Sequence, residues 1–183
     1  MALEPDPGSF RTLKAQVKLN GVADHVDLLE AAAGTVDGTV PFEGGQGSES
    51  RVGGGGAGSR VVRCVRLDTL FGGRSLSVLK IDVEGYEQGV LAGAIDLLRD
   101  PDRAPRAIYV EVHPYAWPGF GTSSETLLGP LAECGHRIMA LDGAVLHRID
   151  EYGEIVACRM SWDREQSLDE PPGGWVSSVA RSA

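Results

Sequence analysis

Residues 76–98, LSVLKIDVEGYEQGVLAGAIDLL, change their hydrophobic rhythm partway along. Up to Val83 the run has the near-continuous apolar character of a strand buried on both faces. From about Glu87 it reads as a helix. Asp82, Glu84, Gly85 and Glu87 crowd the turn between the two elements. Carboxylates are stabilised at a helix N-terminus, and glycine permits a sharp turn and the close approach of a ligand. In a sheet entered and left through helices, ligands bind beyond the carboxyl ends of the strands. The charge at 82–87 therefore marks a ligand edge.

Outward from this stretch, strand and helix signals alternate. DPGSFRTLKAQVKLNG has Phe10, Leu13, Val17 and Leu19 at near-helical spacing and stops at Asn20-Gly21. HVDLLEAAAG and GTVPF read as short strands, RVVRCVRLDTL as another, and RAIYVEVHP as a strongly apolar strand ending in charge. SSETLLGPLAECGH is a helix capped by Ser123 or Ser124, which Pro130 must kink or start late. HRIMALDGAVLHRI, with a hairpin at Asp142-Gly143, and EIVACRMSW close the domain as strands. Residues 43–59 are dominated by glycine and serine and read as a flexible surface loop. A phosphate-cradling loop there lacks the helix that should follow it. The expected organisation is one α/β domain over 1–166, with a mainly parallel sheet covered by helices on both faces, and a disordered tail over 167–183.

Composition narrows the function classes. The chain has 183 residues, enough for one domain with a real core. Its hydrophobic fraction is 42% and its charged fraction 23%, those of an ordinary soluble globular protein. A net charge of −9 would repel a polyanion, which excludes nucleic acid as a partner. No run approaches the ~18 apolar residues of a spanning helix, and no signal sequence opens the chain, so no membrane role is expected. Cys64, Cys134 and Cys158 are odd in number and far apart, which suits a reducing cytoplasm.

VLKIDVEGYEQGVLAGA, with RLDTL before it and IYVEVHP after it, resembles the FkbM family of S-adenosylmethionine-dependent methyltransferases. LEPDPGSFRTLKAQVKLNG and EAAAGTVDG resemble its earlier segment, so the likeness runs over residues 3–141. The resemblance implies a Rossmann-like class I methyltransferase fold that moves a methyl group onto a hydroxyl of a sugar or natural-product scaffold. It implies that Glu4 binds the cofactor ribose and that Ala32 and Ala33 line the adenine side. Asp82 and Glu84 then face the methyl-transfer site, and Glu111 and His113 match the next strand end. Members also carry, ahead of the Glu-Pro element, a first strand and a glycine-rich turn. The sequence starts at Met1-Ala2-Leu3-Glu4, so the expectation is a domain truncated at its N-terminus, with open sheet edges that favour self-association.

A hydroxyl needs its proton removed before it attacks, and Asp82 and His113 are the candidate bases. A divalent ion held by Asp82 and Glu84 is the alternative route, although carboxylates alone assign no metal set. Lys80 lies within an apolar strand and either neutralises a carboxylate or touches substrate. Simpler roles stand beside these: a helix cap for Asp82 and Glu84, a turn for His113, and a core edge rather than a substrate lid for Trp117 and Phe120. The rival to an enzyme is a non-catalytic binding module that keeps part of the fold.

Overall fold

The structure, a computed structural model, describes residues 1–44, 51–53 and 59–159. The chain enters through β1 (Ala2–Leu3) and passes Glu4-Pro5 into α1 (Pro7–Leu19). Asp6 caps this helix by accepting the Ser9 N–H at 2.8 Å, and Pro7 occupies its first turn, where no amide partner is required. No residue of α1 is fully buried, so the helix rides on the surface. β2 (Leu28–Leu29) returns parallel to β1.

The next part of the chain departs from expectation. Residues 25–34 do not make one strand: β2 ends at Leu29, and β3 (Ala32–Ala33) belongs to a different sheet. There it lies beside β6 (Ser59–Val65), which also pairs antiparallel with β4 (Gly38–Glu43). The expected 43–59 loop is interrupted by β5 (Arg51–Val52), which pairs with Phe42 and Glu43, and Gly53 N–H donates to the Pro41 carbonyl at 2.8 Å. The remainder of that loop and the tail expected over 167–183 lie outside the described residues. RLDTL does not continue the strand: β6 stops at Val65, and α2 (Leu67–Phe71) follows.

β7 (Val78–Ile81) leads through the acidic turn into α3 (Glu87–Ala92) and α4 (Ile95–Arg99), two short helices where one was expected. The break at Gly93 has a packing cause. A Cβ on Gly93 would lie 1.9 Å from the Gly34 carbonyl oxygen, so this turn can approach the β3 end only as glycine. β8 (Ala107–Val112) runs parallel to β7. α5 (Ser124–Glu133) then starts ahead of Pro130, not after it, with Ser123 and Thr126 forming a reciprocal capping box. β9 (His136–Ala140) and β10 (Gly153–Arg159) close the domain.

The sheets are mixed rather than mainly parallel. Their orders are β1-β2, β3-β6-β4-β5 and β7-β8-β10-β9, with β10 antiparallel to both of its neighbours. The reason lies in the connections. A parallel return needs a crossover of about a dozen residues or more, usually helical, whereas among the described residues no helix lies between β4 and β6 or between β9 and β10. Ile108, Val110 and Val112 of β8 join Ile155 and Ala157 of β10 on the core face, against Leu127 and Leu131 of α5. The opposite face carries Val78, Lys80 and Asp82, all exposed. Lys80 thus sits on an open face and not inside the sheet, as its apolar neighbours had suggested.

Candidate active site

Among the described residues β1 pairs only with β2, and β7 only with β8. Residues of both strands line a cleft of about 830 Å³. Phe42, Leu67 and Val90 give the cleft an apolar floor. Its rim brings together residues that lie far apart in sequence: Glu4, Ala32, Ala33, Lys80, Asp82, Glu84 and Glu111. Glu4 accepts the Asp6 N–H at 2.7 Å, and burial pushes its carboxyl above the usual range. Ala32 is buried and Ala33 half-buried, so this wall carries nothing beyond a methyl group.

The acidic end is built by the β7–α3 turn. Glu84 adopts φ 49 and Gly85 φ 99, two successive left-handed residues. A Cβ on Gly85 would come within 2.5 Å of the Ala116 Cβ, which leaves glycine as the residue that fits. Left-handed backbone at a non-glycine residue is uncommon and concentrates at functional sites. Asp82 is exposed and accepts from Lys80 Nζ at 2.9 Å, and this bond holds the lysine's pKa above its ordinary value. The ammonium also lies 6.0 Å from the Tyr109 ring.

His113, one residue past β8, is 2% exposed. Its Nδ1 lies 2.8 Å from Glu87 Oε1, and Glu87 is 0% exposed. Glu87 also accepts the Gly85 N–H at 3.0 Å and the Trp117 indole N–H at 3.0 Å. A buried carboxylate with three donors is fully engaged. Because a carboxylate accepts only, Nδ1 is the donor in this bond, which orients the ring and turns Nε2 toward two further carboxylates. That nitrogen lies 3.5 Å from Glu84 Oε2 and 3.8 Å from Glu111 Oε1, without a hydrogen bond to either. The Tyr115 hydroxyl donates to Glu84 at 2.9 Å, and the Tyr152 hydroxyl donates to Glu111. The second bond pushes the Tyr152 pKa up to about 12.

Of the residues singled out from sequence, Glu4, Ala32, Ala33, Lys80, Asp82, Glu84 and Glu111 line the cleft, and His113 stands directly behind Glu84 and Glu111. Trp117 is buried as a partner of Glu87, not spread over the cleft as a lid. Glu87 was missed as a site residue. The signal was present: Glu87 falls on one helical stripe with Val90, Leu91 and Ala94, where a charge is out of place unless paired. No metal set had been assigned from sequence, yet ligand atoms of Asp82, Glu111 and His113 come within 4.8 Å of one another.

A family model described as the methyltransferase FkbM domain matches residues 1–138. The chain belongs to the FkbM methyltransferase domain family. A solved structure of methyltransferase FkbM from Methylobacillus flagellatus KT matches this FkbM domain at 16% sequence identity with a TM-score of 0.50. The match covers 85% of this chain and 35% of that one, so the domain spans about a third of that protein's length. At this identity the likeness speaks for the α/β fold. No curated protein matches the chain. No helix among the described residues of the FkbM domain is long and apolar enough to cross a membrane.

Proposed function

We propose that this FkbM domain is an S-adenosylmethionine-dependent O-methyltransferase acting on a hydroxyl of a sugar or other natural-product scaffold. The observation that carries this reading is the Glu87–His113 pair, which aims Nε2 at the carboxylate end of the cleft. The cofactor fits the residues present. A cleft of about 830 Å³ falls within the ~300–1,000 Å³ of small-molecule sites. Its alanine wall leaves room for a flat ring, and Glu4 offers acceptors for ribose hydroxyls. Glu4 would hold the ribose, Ala32 and Ala33 the adenine side, and Asp82 the end nearest the transfer. When bound, the cofactor supplies an electrophilic methyl group on a sulfonium.

The chain's own residues supply position and proton removal. A hydroxyl is a weak nucleophile until its proton leaves, and the cluster of His113, Asp82, Glu84 and Glu111 receives that proton while holding the oxygen in line. The three cysteines form no disulfide, in keeping with a cytoplasmic enzyme. The edges of β1 and β7, unpaired among the described residues, support self-association by strand pairing.

The test is transfer of a labelled methyl group from S-adenosylmethionine to a panel of hydroxylated sugars and scaffolds, beside calorimetric titration of the cofactor. Asp82→Asn should lower transfer by about a hundredfold or more with little change in melting temperature. Cofactor binding without transfer to any acceptor would leave a binding module and overturn the enzymatic reading.

A further inference from the structure

We propose that Asp82, Glu111 and His113, with Glu84 beside them, form a binding site for a divalent cation. Three independent features converge on one point. The first is distance: one ligand atom from each of Asp82, Glu111 and His113 lies within 4.8 Å of the others, drawn from the ends of two neighbouring strands, β7 and β8. The second is the buried imidazole. His113 is 2% exposed, and with Nδ1 tied to Glu87 its Nε2 faces the carboxylate oxygens of Glu84 and Glu111 at 3.5 and 3.8 Å. A buried ring nitrogen that meets carboxylate oxygens from two strand ends without a hydrogen bond to either converges with them on one point, the arrangement a cation's ligands take. The third is charge. Glu154 of β10 stands directly across from Glu111 of β8, and like charges at such a pair are destabilising. Asp82 and Glu84 add two more anions, and Lys80 is the ammonium that contacts the group.

The surroundings have the form of an outer shell. A metal-bound histidine characteristically donates its second N–H to a carboxylate, and ligating carboxylates are themselves hydrogen-bonded. Glu87 takes the His113 Nδ1 proton, Tyr152 donates to Glu111, and Tyr115 donates to Glu84. Two carboxylates and one imidazole suit a first-row divalent ion such as Mn²⁺ better than the all-oxygen preference of Ca²⁺. Lys80 is the built-in competitor. Its head sits on Asp82, and its exposed side chain can swing away when a stronger cation arrives.

The role follows from the function proposed above and rests on it, whereas the binding does not. A hydroxyl oxygen joining the cation is acidified. Its proton passes to Glu84, and its electron pair forms the new C–O bond as the S–C bond breaks.

The experiment is a titration of the purified full chain with Mn²⁺, followed by the loss of the free-ion electron spin resonance signal. One site per chain is expected. Asp82→Asn, an exposed position that does not threaten folding, should weaken binding at least about tenfold. Glu87→Gln should weaken it by about 10–100-fold through the His113 ring, and Lys80→Met should tighten it. No binding at millimolar Mn²⁺, or an unchanged affinity in Asp82→Asn, overturns the site. Methyl transfer that chelation abolishes and Mn²⁺ restores supports the role, and transfer indifferent to chelator refutes it. Mn²⁺ binding without any methyl transfer keeps the site and sinks the methyltransferase reading alone.

Discussion

The part of the molecule from α2 onward and the part before it are held together very differently. The first packs 17 buried residues into one cluster, from Leu67 to Ala157. The second buries Ala32, Phe42 and Val62 around a much smaller centre among the described residues, and its helix α1 buries none. Its strands β1, β2 and β3 are two residues long, whereas β10 is seven residues long and paired on both sides. The site straddles this divide. Asp82, Glu84, Glu87, Glu111 and His113 stand on the well-packed part and Glu4 and Ala32 on the looser one, while Ala33 packs against the large cluster. The acidic cluster thus rests on the larger core, and most of the opposite wall on the smaller one.

The largest expected effect lies in the large core. Leu127→Ala, at a fully buried position of α5, should destabilise by about 2 to 5 kcal/mol in denaturant unfolding. Val62→Ala, in the small cluster, should cost only about 1 to 2 kcal/mol for the lost methyl burial. Native-state hydrogen exchange sharpens the contrast. Amides of β10 should exchange only through global unfolding, and those of β1 and β2 through easier local opening. Equal protection in the two sets would break the distinction.

Glu84 probes the seam itself. Its φ of 49 strains an L-residue, so Glu84→Gly should stabilise by about 1 kcal/mol or less despite losing the Tyr115 hydrogen bond. The same change should weaken methyl transfer. A variant that is both less stable and fully active would show that the turn serves structure and not the site.

The smallest expected effect belongs to His136, buried at the start of β9 with Nε2 3.3 Å from the Pro105 carbonyl oxygen. Burial pushes its pKa below the ordinary 6.5. The unfolded ring therefore binds a proton more readily than the folded one. Its contribution to stability is complete above about pH 6.5 and is lost as pH falls through the depressed folded value. Melting temperatures of wild type and His136→Phe, measured from pH 8 to 5, should diverge in that direction. Parallel curves would remove His136 as a source of acid sensitivity.

Local chemistry was legible in the sequence. Asp6-Pro7 and Asn20-Gly21 bracket α1, the apolar run of RAIYVEVHP ending in charge marks β8, and the change of rhythm at 76–98 locates the strand–turn–helix with its acidic turn. Caps, apolar runs and glycine turns act over a few residues, so their pattern is written in consecutive positions. Pairing partners are not. The antiparallel β4–β6 hairpin, β5 against Phe42, and β10 between β8 and β9 depend on registers set between distant segments, and composition around a glycine-rich stretch does not encode them.

The site divides along the same line. Sequence by itself singled out Asp82, Glu84, Glu111 and His113, because charged groups that end apolar strands stand at the carboxyl edge of a sheet. Only the tertiary structure decided that Glu87 turns inward to hold the His113 ring, while Lys80 turns outward onto Asp82. A side chain's partner is fixed by which face it takes and which element packs there, and a carboxylate 26 positions from its histidine becomes its neighbour only when α3 and β8 share one core.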